Sequence, residues 1–307
     1  MNDAALLALL DALKVRGYAF VTPTPATHSR VVARTDRKQA HDLYDVFGWS
    51  LPFGPGVLDT EIEALAEQAD ILAEDGRGRR STLRASSLHG RLFLHSAYPT
   101  DDRDAVFFGP DSYRFADLIA SELGACAPGA RIVDIGTGGG VGAIVAAGHC
   151  AEATVTMTDI NPTALALARI NAAHNGVDAE FVETDGLNGV PPGLDVALAN
   201  PPYIIDSAGR SYRDGGDMHG GRISFEMAVA AADRLAPGGR LILYTGSAIV
   251  RGRDPLRDAL EPALAERGCT LRYREIDPDM FGEELENDAY ADVDRIAIVA
   301  AIATKAG

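Results

Sequence analysis

Apolar positions recur with two different periods along this chain, and the change between them divides it near residue 100. In the first part the spacing is helical. The segment Ala4–Arg16 carries Leu6, Leu9, Leu10 and Leu13 on one stripe and stops at Gly17. Two further helices are predicted, Arg37–Phe47 with Asp36 as N-cap, and Thr60–Glu74 between Asp59 and Gly76. Leu83–Ser86 and Arg91–His95 are short strand-like runs around His89–Gly90, the pattern of a hairpin. Helices followed by a hairpin predict a small, mainly helical unit over residues 1–100, winged-helix-like in outline, with substrate selection as its expected role. From about residue 105 strand and helix patterns alternate. Strands are predicted at 131–135, 154–158, 179–183, 194–199, 240–245, 270–275 and 293–302, and helices near 141–148, 162–174, 222–235 and 254–266. Such alternation implies an α/β domain over residues 101–307, a parallel sheet covered by helices on both faces. Leu235–Gly239 is a helix stop and turn before the next strand. The last two strands are separated by a loop over 277–292 with no predicted helix, so the final strand is expected to return antiparallel.

Composition places the chain among globular proteins, with 47% apolar residues in 307. The N-terminal apolar run Ala4–Leu10 is short and is followed by Asp11 and Lys14, so it is an amphipathic helix rather than an export signal. No stretch is long and apolar enough to span a membrane, and the cytoplasm is the expected location. Cys126, Cys150 and Cys269 are far apart and odd in number, which predicts neither a disulfide framework nor a metal site. Oligomeric state is not encoded in any of these patterns.

Charge narrows the partners. The net charge of −16 is concentrated after residue 100, where 17 Lys and Arg face 32 Asp and Glu; residues 1–100 hold 11 and 12. An acidic half repels a phosphate backbone, which disfavours an extended grip on nucleic acid. A local basic face is the exception to test, and Arg77, Arg79, Arg80 and Arg84 are its best source; the expectation is a solvated cluster.

Two motifs carry chemistry. The strand Arg131–Ile135 opens into Gly136-Thr137-Gly138-Gly139-Gly140, ahead of a helix. That arrangement turns backbone N–H groups toward an anionic ligand group. Alone it fits the carboxylate of a bound methionine moiety and the pyrophosphate of a dinucleotide equally, since Gly138, Gly140 and Ala143 match a loose G-x-G-x-x-A and Asp159 follows about 20 residues later. Asp134 is placed to orient an ammonium group. Asp159 can accept ribose hydroxyls, and Asp185, before Gly186, can accept from an adenine amino group while Ile160 and Leu187 pack on the ring. The second motif, Asn200-Pro201-Pro202-Tyr203, ends the apolar strand Leu194–Ala199. Methyl transfer to a planar nitrogen needs that nitrogen's delocalised lone pair brought into line with the methyl group. The Asn200 side-chain oxygen and the Pro201 carbonyl can grip its N–H groups, the prolines stiffen the loop, and Tyr203 offers a flat face.

The pair resembles class I S-adenosylmethionine (SAM)-dependent methyltransferases of the methyltransferase small-domain kind. That group includes release-factor glutamine methyltransferases and enzymes acting on amino groups of RNA bases. The resemblance covers about 105–305. It implies a Rossmann-like seven-stranded sheet with an antiparallel last strand and SAM as methyl donor, leaving S-adenosylhomocysteine (SAH). Gly136, Thr137, Gly138 and Gly140 would line the methionine end, Asp159 and Ile160 the ribose side, and Asp185, Gly186 and Leu187 the adenine. Asn200, at the junction with the cofactor, would hold the acceptor together with Pro201, Pro202 and Tyr203. The chain departs from the release-factor enzymes before the glycine loop, where their Pro-Arg-Pro-Glu-Thr-like segment is replaced by Phe107-Phe108-Gly109-Pro110-Asp111-Ser112-Tyr113-Arg114-Phe115. This stretch is expected either to cover the cofactor, with Phe108 or Tyr113 as lid, or to supply ordinary packing aromatics.

Two long connections are expected near the acceptor. Tyr212–Gly221 is glycine-rich and should help form the substrate pocket; its Asp217 and His219 do not make a metal site. The second, 277–292, holds Phe281 and Glu283-Glu284-Leu285-Glu286. The expected function is N-methylation of an amide or amino nitrogen of a protein or small molecule. The alternatives are a base-modifying enzyme acting on an exocyclic amino group of RNA or DNA, a NAD-dependent oxidoreductase, and a non-catalytic SAM-binding module.

Overall fold

The computed structural model describes residues 2–205 and 213–307. The first hundred residues form four helices, α1 (Asp3–Val15), α2 (Pro25–Val32), α3 (Leu43–Phe47) and α4 (Thr60–Gln68), then two hairpins, β1 (Leu72–Glu74) with β2 (Arg79–Ser81) and β3 (Leu83–Leu88) with β4 (Arg91–Ser96). His89 and Gly90 turn the second hairpin with positive φ at both positions. Helix starts follow side-chain caps: Asp59 accepts from the Ile62 N–H at 3.0 Å, and Thr24 caps α2 ahead of Pro25.

Several boundaries differ from expectation. Helix α3 begins only at Leu43, because Asp42 rather than Asp36 caps it, accepting from the Asp45 N–H at 2.9 Å. The segment before it is committed elsewhere, with the Ala40 N–H donating to the Pro52 carbonyl and Arg37 paired to buried Asp45. Helix α4 stops at Gln68, and Asp70, with φ of 57°, turns the chain into the unpredicted hairpin β1–β2. Helix α2 was not among the predicted elements; it starts at Thr24-Pro25 and is only eight residues long.

The second part continues with α5 (Pro110–Glu122), β5 (Arg131–Ile135), α6 (Val141–His149), β6 (Thr154–Asp159), α7 (Pro162–His174), β7 (Ala179–Glu183), β8 (Leu194–Ala199), α8 (Arg222–Arg234), β9 (Leu235–Ile249), α9 (Pro255–Glu266), β10 (Cys269–Asp277) and β11 (Arg295–Lys305). The seven strands from β5 onward lie in the order β10-β11-β9-β8-β5-β6-β7, all parallel except β11, which runs antiparallel to both neighbours. The central strand β8 is apolar except for Asp195, and β5 keeps an apolar middle, because helices cover both faces. Strand β9 starts at Leu235 rather than 240: Leu235 pairs with Leu194 and Arg240 with Val196, so Ala236–Gly239 forms a bulge within the strand instead of a turn before it.

The apolar core of the N-terminal unit, built on Leu6, Leu9, Phe47, Phe53 and Ile62, continues into Ala164, Leu167 and Ile170 of α7. Cys126 and Cys150 form a disulfide, contrary to the expectation of no disulfide framework. Separation in sequence misled here, since the packing of α5 on α6 brings their ends together, with Cα atoms 4.8 Å apart. Among the described residues no helix is long and apolar enough to cross a membrane.

Candidate functional site

The site is the C-terminal edge of the parallel strands, where β5 and β8 lie side by side with Ile135 opposite Ala199. The glycine loop after β5 is held from beneath by two carboxylates. Asp134, 2% exposed, accepts from Thr137 Oγ1 at 2.7 Å and from the Ala143 N–H at 2.9 Å, fastening the loop to the first turn of α6. Burial pushes its carboxyl up to about 6, against the opposing pull of those two bonds. Asp134 therefore faces the loop itself rather than the space above it. Gly140, the N-cap of α6, has φ of 84° with its Cα side against Ala168, a position that only glycine adopts without strain. At Gly138 nothing lies within 4 Å of where a Cβ would stand, so the loop backbone borders open space.

Asp159 ends β6 and accepts from the Gly138 N–H and the Asn161 N–H, both at 2.8 Å. Burial raises its carboxyl above the ordinary range, while these bonds oppose the shift. Each oxygen keeps a further lone pair for a ligand hydroxyl. Ile160, next in sequence, is 63% exposed, an apolar side chain turned outward beside a carboxylate. After β7, Asp185 is exposed and Gly186 turns with φ of 61°, its carbonyl taking a bond from Thr158 Oγ1 at 2.9 Å. Leu187 is buried in the core with Val133 and Val190, so it supports this turn from below. Loop N–H groups, a carboxylate, an exposed apolar side chain and a second carboxylate thus follow one another across β5, β6 and β7. That donor set fits an amino acid, a ribose and an adenine in a row.

Beyond β8, Asn200 is half-buried, and among the described residues no hydrogen bond engages its side chain. Tyr203 is 8% exposed, and its hydroxyl donates to Asp111 Oδ2 at 2.8 Å. Its ring lies against Gly246 of β9, where an added Cβ would collide with it, and meets Phe281 edge-on at 5.8 Å. The two long connections meet here. The Ile205 N–H donates to Tyr290 Oη at 2.8 Å, His219 Nε2 pairs with Asp292 Oδ1 at 3.0 Å, and Arg213 bonds Glu284. Tyr212, where the glycine-rich connection was expected to begin, lies outside the described residues.

Several functional contacts were not foreseen. Asp111 lies in the segment that departs from the release-factor pattern, and its partners Tyr203 and Tyr244 lie 92 and 133 residues away. Asn171 of α7 bonds the Leu94 N–H, the Leu94 carbonyl and the Gly139 carbonyl at 2.7, 3.0 and 2.8 Å, joining β4 to the glycine loop. A polar residue on the apolar stripe of a predicted helix was the available signal. Phe108 and Tyr113 are not lids: Phe108 is 1% exposed and stacks on His95 at 5.0 Å, while Tyr113 Oη takes a bond from the Thr22 N–H. The arginine cluster offers no free basic face, because Arg77 and Arg80 pair with Asp75, Arg79 pairs with Glu63 and Glu67, and Arg84 is 3% exposed. Among the described residues no group of His, Cys, Asp and Glu could hold a metal ion.

This strand order, with a glycine loop after β5 and Asn200-Pro201-Pro202-Tyr203 after the neighbouring β8, fits a SAM-dependent methyltransferase. The profile of the methyltransferase small domain matches residues 114–260. A release factor glutamine methyltransferase from Deinococcus radiodurans is 31% identical over 235 residues, 72% of this chain and 80% of that protein. Ribosomal RNA small subunit methyltransferase C from Pseudomonas aeruginosa is 27% identical over 65% of this chain, which spans about half (51%) of that enzyme. The crystal structure of Trm5b from Pyrococcus abyssi superposes with a TM-score of 0.52 at 15% identity, covering 77% of this chain and 62% of that one, a likeness of fold. The chain belongs to the methyltransferase small-domain family, and its cofactor is SAM.

Proposed function

We propose that this enzyme methylates an amide or amino nitrogen presented by a protein, with Asn200 and Pro201 gripping the acceptor N–H groups. The observation that carries this reading is the half-buried Asn200 side chain, free of hydrogen bonds among the described residues, at the end of β8 beside the glycine loop of β5. Bound SAM supplies an electrophilic methyl group on a sulfonium. The chain's own residues orient the nucleophile: two acceptors on one nitrogen hold its lone pair toward the cofactor side, and no strong base is required before attack. Gly136, Thr137, Gly138 and Gly140 would hold the methionine end, Asp159 the ribose with Ile160 against the rings, and Asp185 and Gly186 the adenine. Leu187 would keep that turn in place. Residues 1–100 would select the substrate, in the cytoplasm. The acidic second part and the paired arginines favour a protein over a nucleic-acid acceptor. The test is transfer of a labelled methyl group from SAM into a lysate of the source organism, sorted into protein, nucleic-acid and low-mass fractions. Label in protein that falls about 10²–10³-fold with Asn200→Ala, the loss seen when one positioned polar contact is removed, is expected. Label in nucleic acid would replace the protein acceptor by an RNA or DNA base.

A further inference from the structure

We propose that Asp111 is a positioning residue of the transfer reaction, acting by gripping Tyr203 and thereby fixing the direction in which Asn200 and Pro201 point. This rests on the reading that Asn200–Tyr203 holds the acceptor. Three elements distant in sequence converge on this one carboxylate. Asp111 stands in the first turn of α5, its Oδ2 accepts from Tyr203 Oη after β8, and its Oδ1 accepts from Tyr244 Oη on β9, both at 2.8 Å. The first turn of a helix favours a negative charge. Arg114, one turn on, adds to this, with Nη1 at 3.7 Å from Oδ1; that Nη1 is buried and finds no hydrogen-bond partner among the described residues. Burial and, after it, the Asp111 charge hold both phenols well above their ordinary range, so they stay protonated and remain donors.

The remaining surroundings of Tyr203 point the same way. Gly246 closes one ring face, and Gly220 packs so tightly under the Tyr203 carbonyl that a Cβ there would overlap it. Tyr203 is an anchor set into the fold, not a free stacking plate. Between it and Asn200 stand two prolines whose φ is fixed by their rings, so the orientation of the anchor passes to the Pro201 carbonyl and the Asn200 side chain with little slack. A carboxylate accepts from two phenols at once, whereas an amide of the same size offers one oxygen.

The experiment is a double-mutant cycle with Asp111→Asn and Tyr203→Phe, read on the lysate fraction that the wild-type enzyme labels. Each single variant is expected to lower kcat about tenfold, with SAH affinity by calorimetry within about twofold of wild type, and the double variant is expected to be no slower than the poorer single one. Losses that multiply, an unchanged kcat, or SAH affinity that falls in parallel would each overturn the proposal. Should Asp111→Asn fail to fold, Tyr203→Phe, which removes one hydroxyl, carries the kcat and SAH comparison alone. Should the wild type label nothing, the acceptor reading fails, and trypsin cleavage after Arg213 decides the clamp separately. Protection lost in both variants and no further in their combination supports it; protection kept in both overturns it.

Discussion

The proposed cofactor edge and the proposed acceptor edge of this sheet are built by different means. At the ends of β5, β6 and β7 the backbone does most of the holding: glycine-loop N–H groups and the start of α6 bond to Asp134 and Asp159, within 25 residues of one another in sequence. At the ends of β8, β9 and β11 side chains from distant segments do it, through Tyr203 and Tyr244 on Asp111, Ile205 on Tyr290, and His219 on Asp292. A backbone cradle suits a ligand that never varies. Side-chain ties allow one sheet to carry different acceptor pockets, because they change by substitution without disturbing strand order.

The comparison can be broken from either side. The largest effect is expected at Asn171→Ala, which strands the Leu94 N–H, the Leu94 carbonyl and the Gly139 carbonyl in the interior. At roughly 1–3 kcal/mol for each group left without a partner, urea unfolding should show a loss of at least about 3 kcal/mol, with weaker SAH binding, because the loop itself is disturbed. If stability fell while SAH affinity held, the glycine loop would not depend on β4.

Asp134 offers the next effect, and its sign is specific. Its folded carboxyl titrates near 6 rather than the ordinary 3.8, so between those values the folded state binds more protons than the unfolded one. Its contribution to stability therefore falls as pH rises from about 4 to about 6, by about 3 kcal/mol in all, since each step of one pH between those values removes about 1.4 kcal/mol. Urea unfolding of wild type and Asp134→Asn between pH 4 and 7 should show the difference between them change in that direction. A flat difference would mean that this carboxyl titrates normally.

The smallest effect is expected at His219→Ala. The pair with Asp292 is partly exposed, and such pairs contribute about 0–1 kcal/mol. Stability and SAH affinity should hardly move, while acceptor kcat/KM falls by a few-fold. An equal fall in SAH affinity would erase the distinction between the two edges.

Legibility in the sequence follows the same division. Strands β5 to β8 and helices α6 to α9 were readable within a residue or two, since apolar runs, Pro162 and Pro255 at helix starts, and the glycine loop are local signals. The antiparallel return of β11 followed from the absence of a crossover helix. Asp111, Asn171 and the Cys126–Cys150 pair were not readable, because each acts on a partner fixed only by the tertiary fold. Asp134 was legible as a carboxylate beside the glycine loop but not in its direction, since whether a carboxylate at a strand end faces outward or toward the loop depends on where Thr137 and the Ala143 N–H sit. Short helices such as α3, under two turns long, left too little periodicity to fix their ends.

Asn171 also bears on how enzymes of this kind can be recombined. The family match begins at residue 114, which invites a cut there and the attachment of another front unit. Such a graft would remove both Leu94 partners of a fully buried amide, and would bare Ala164, Leu167 and Ile170, which now complete the core of residues 1–100. In this chain the first hundred residues are tied to the glycine loop through Asn171 and share their core with α7, so the two parts stand or fall together.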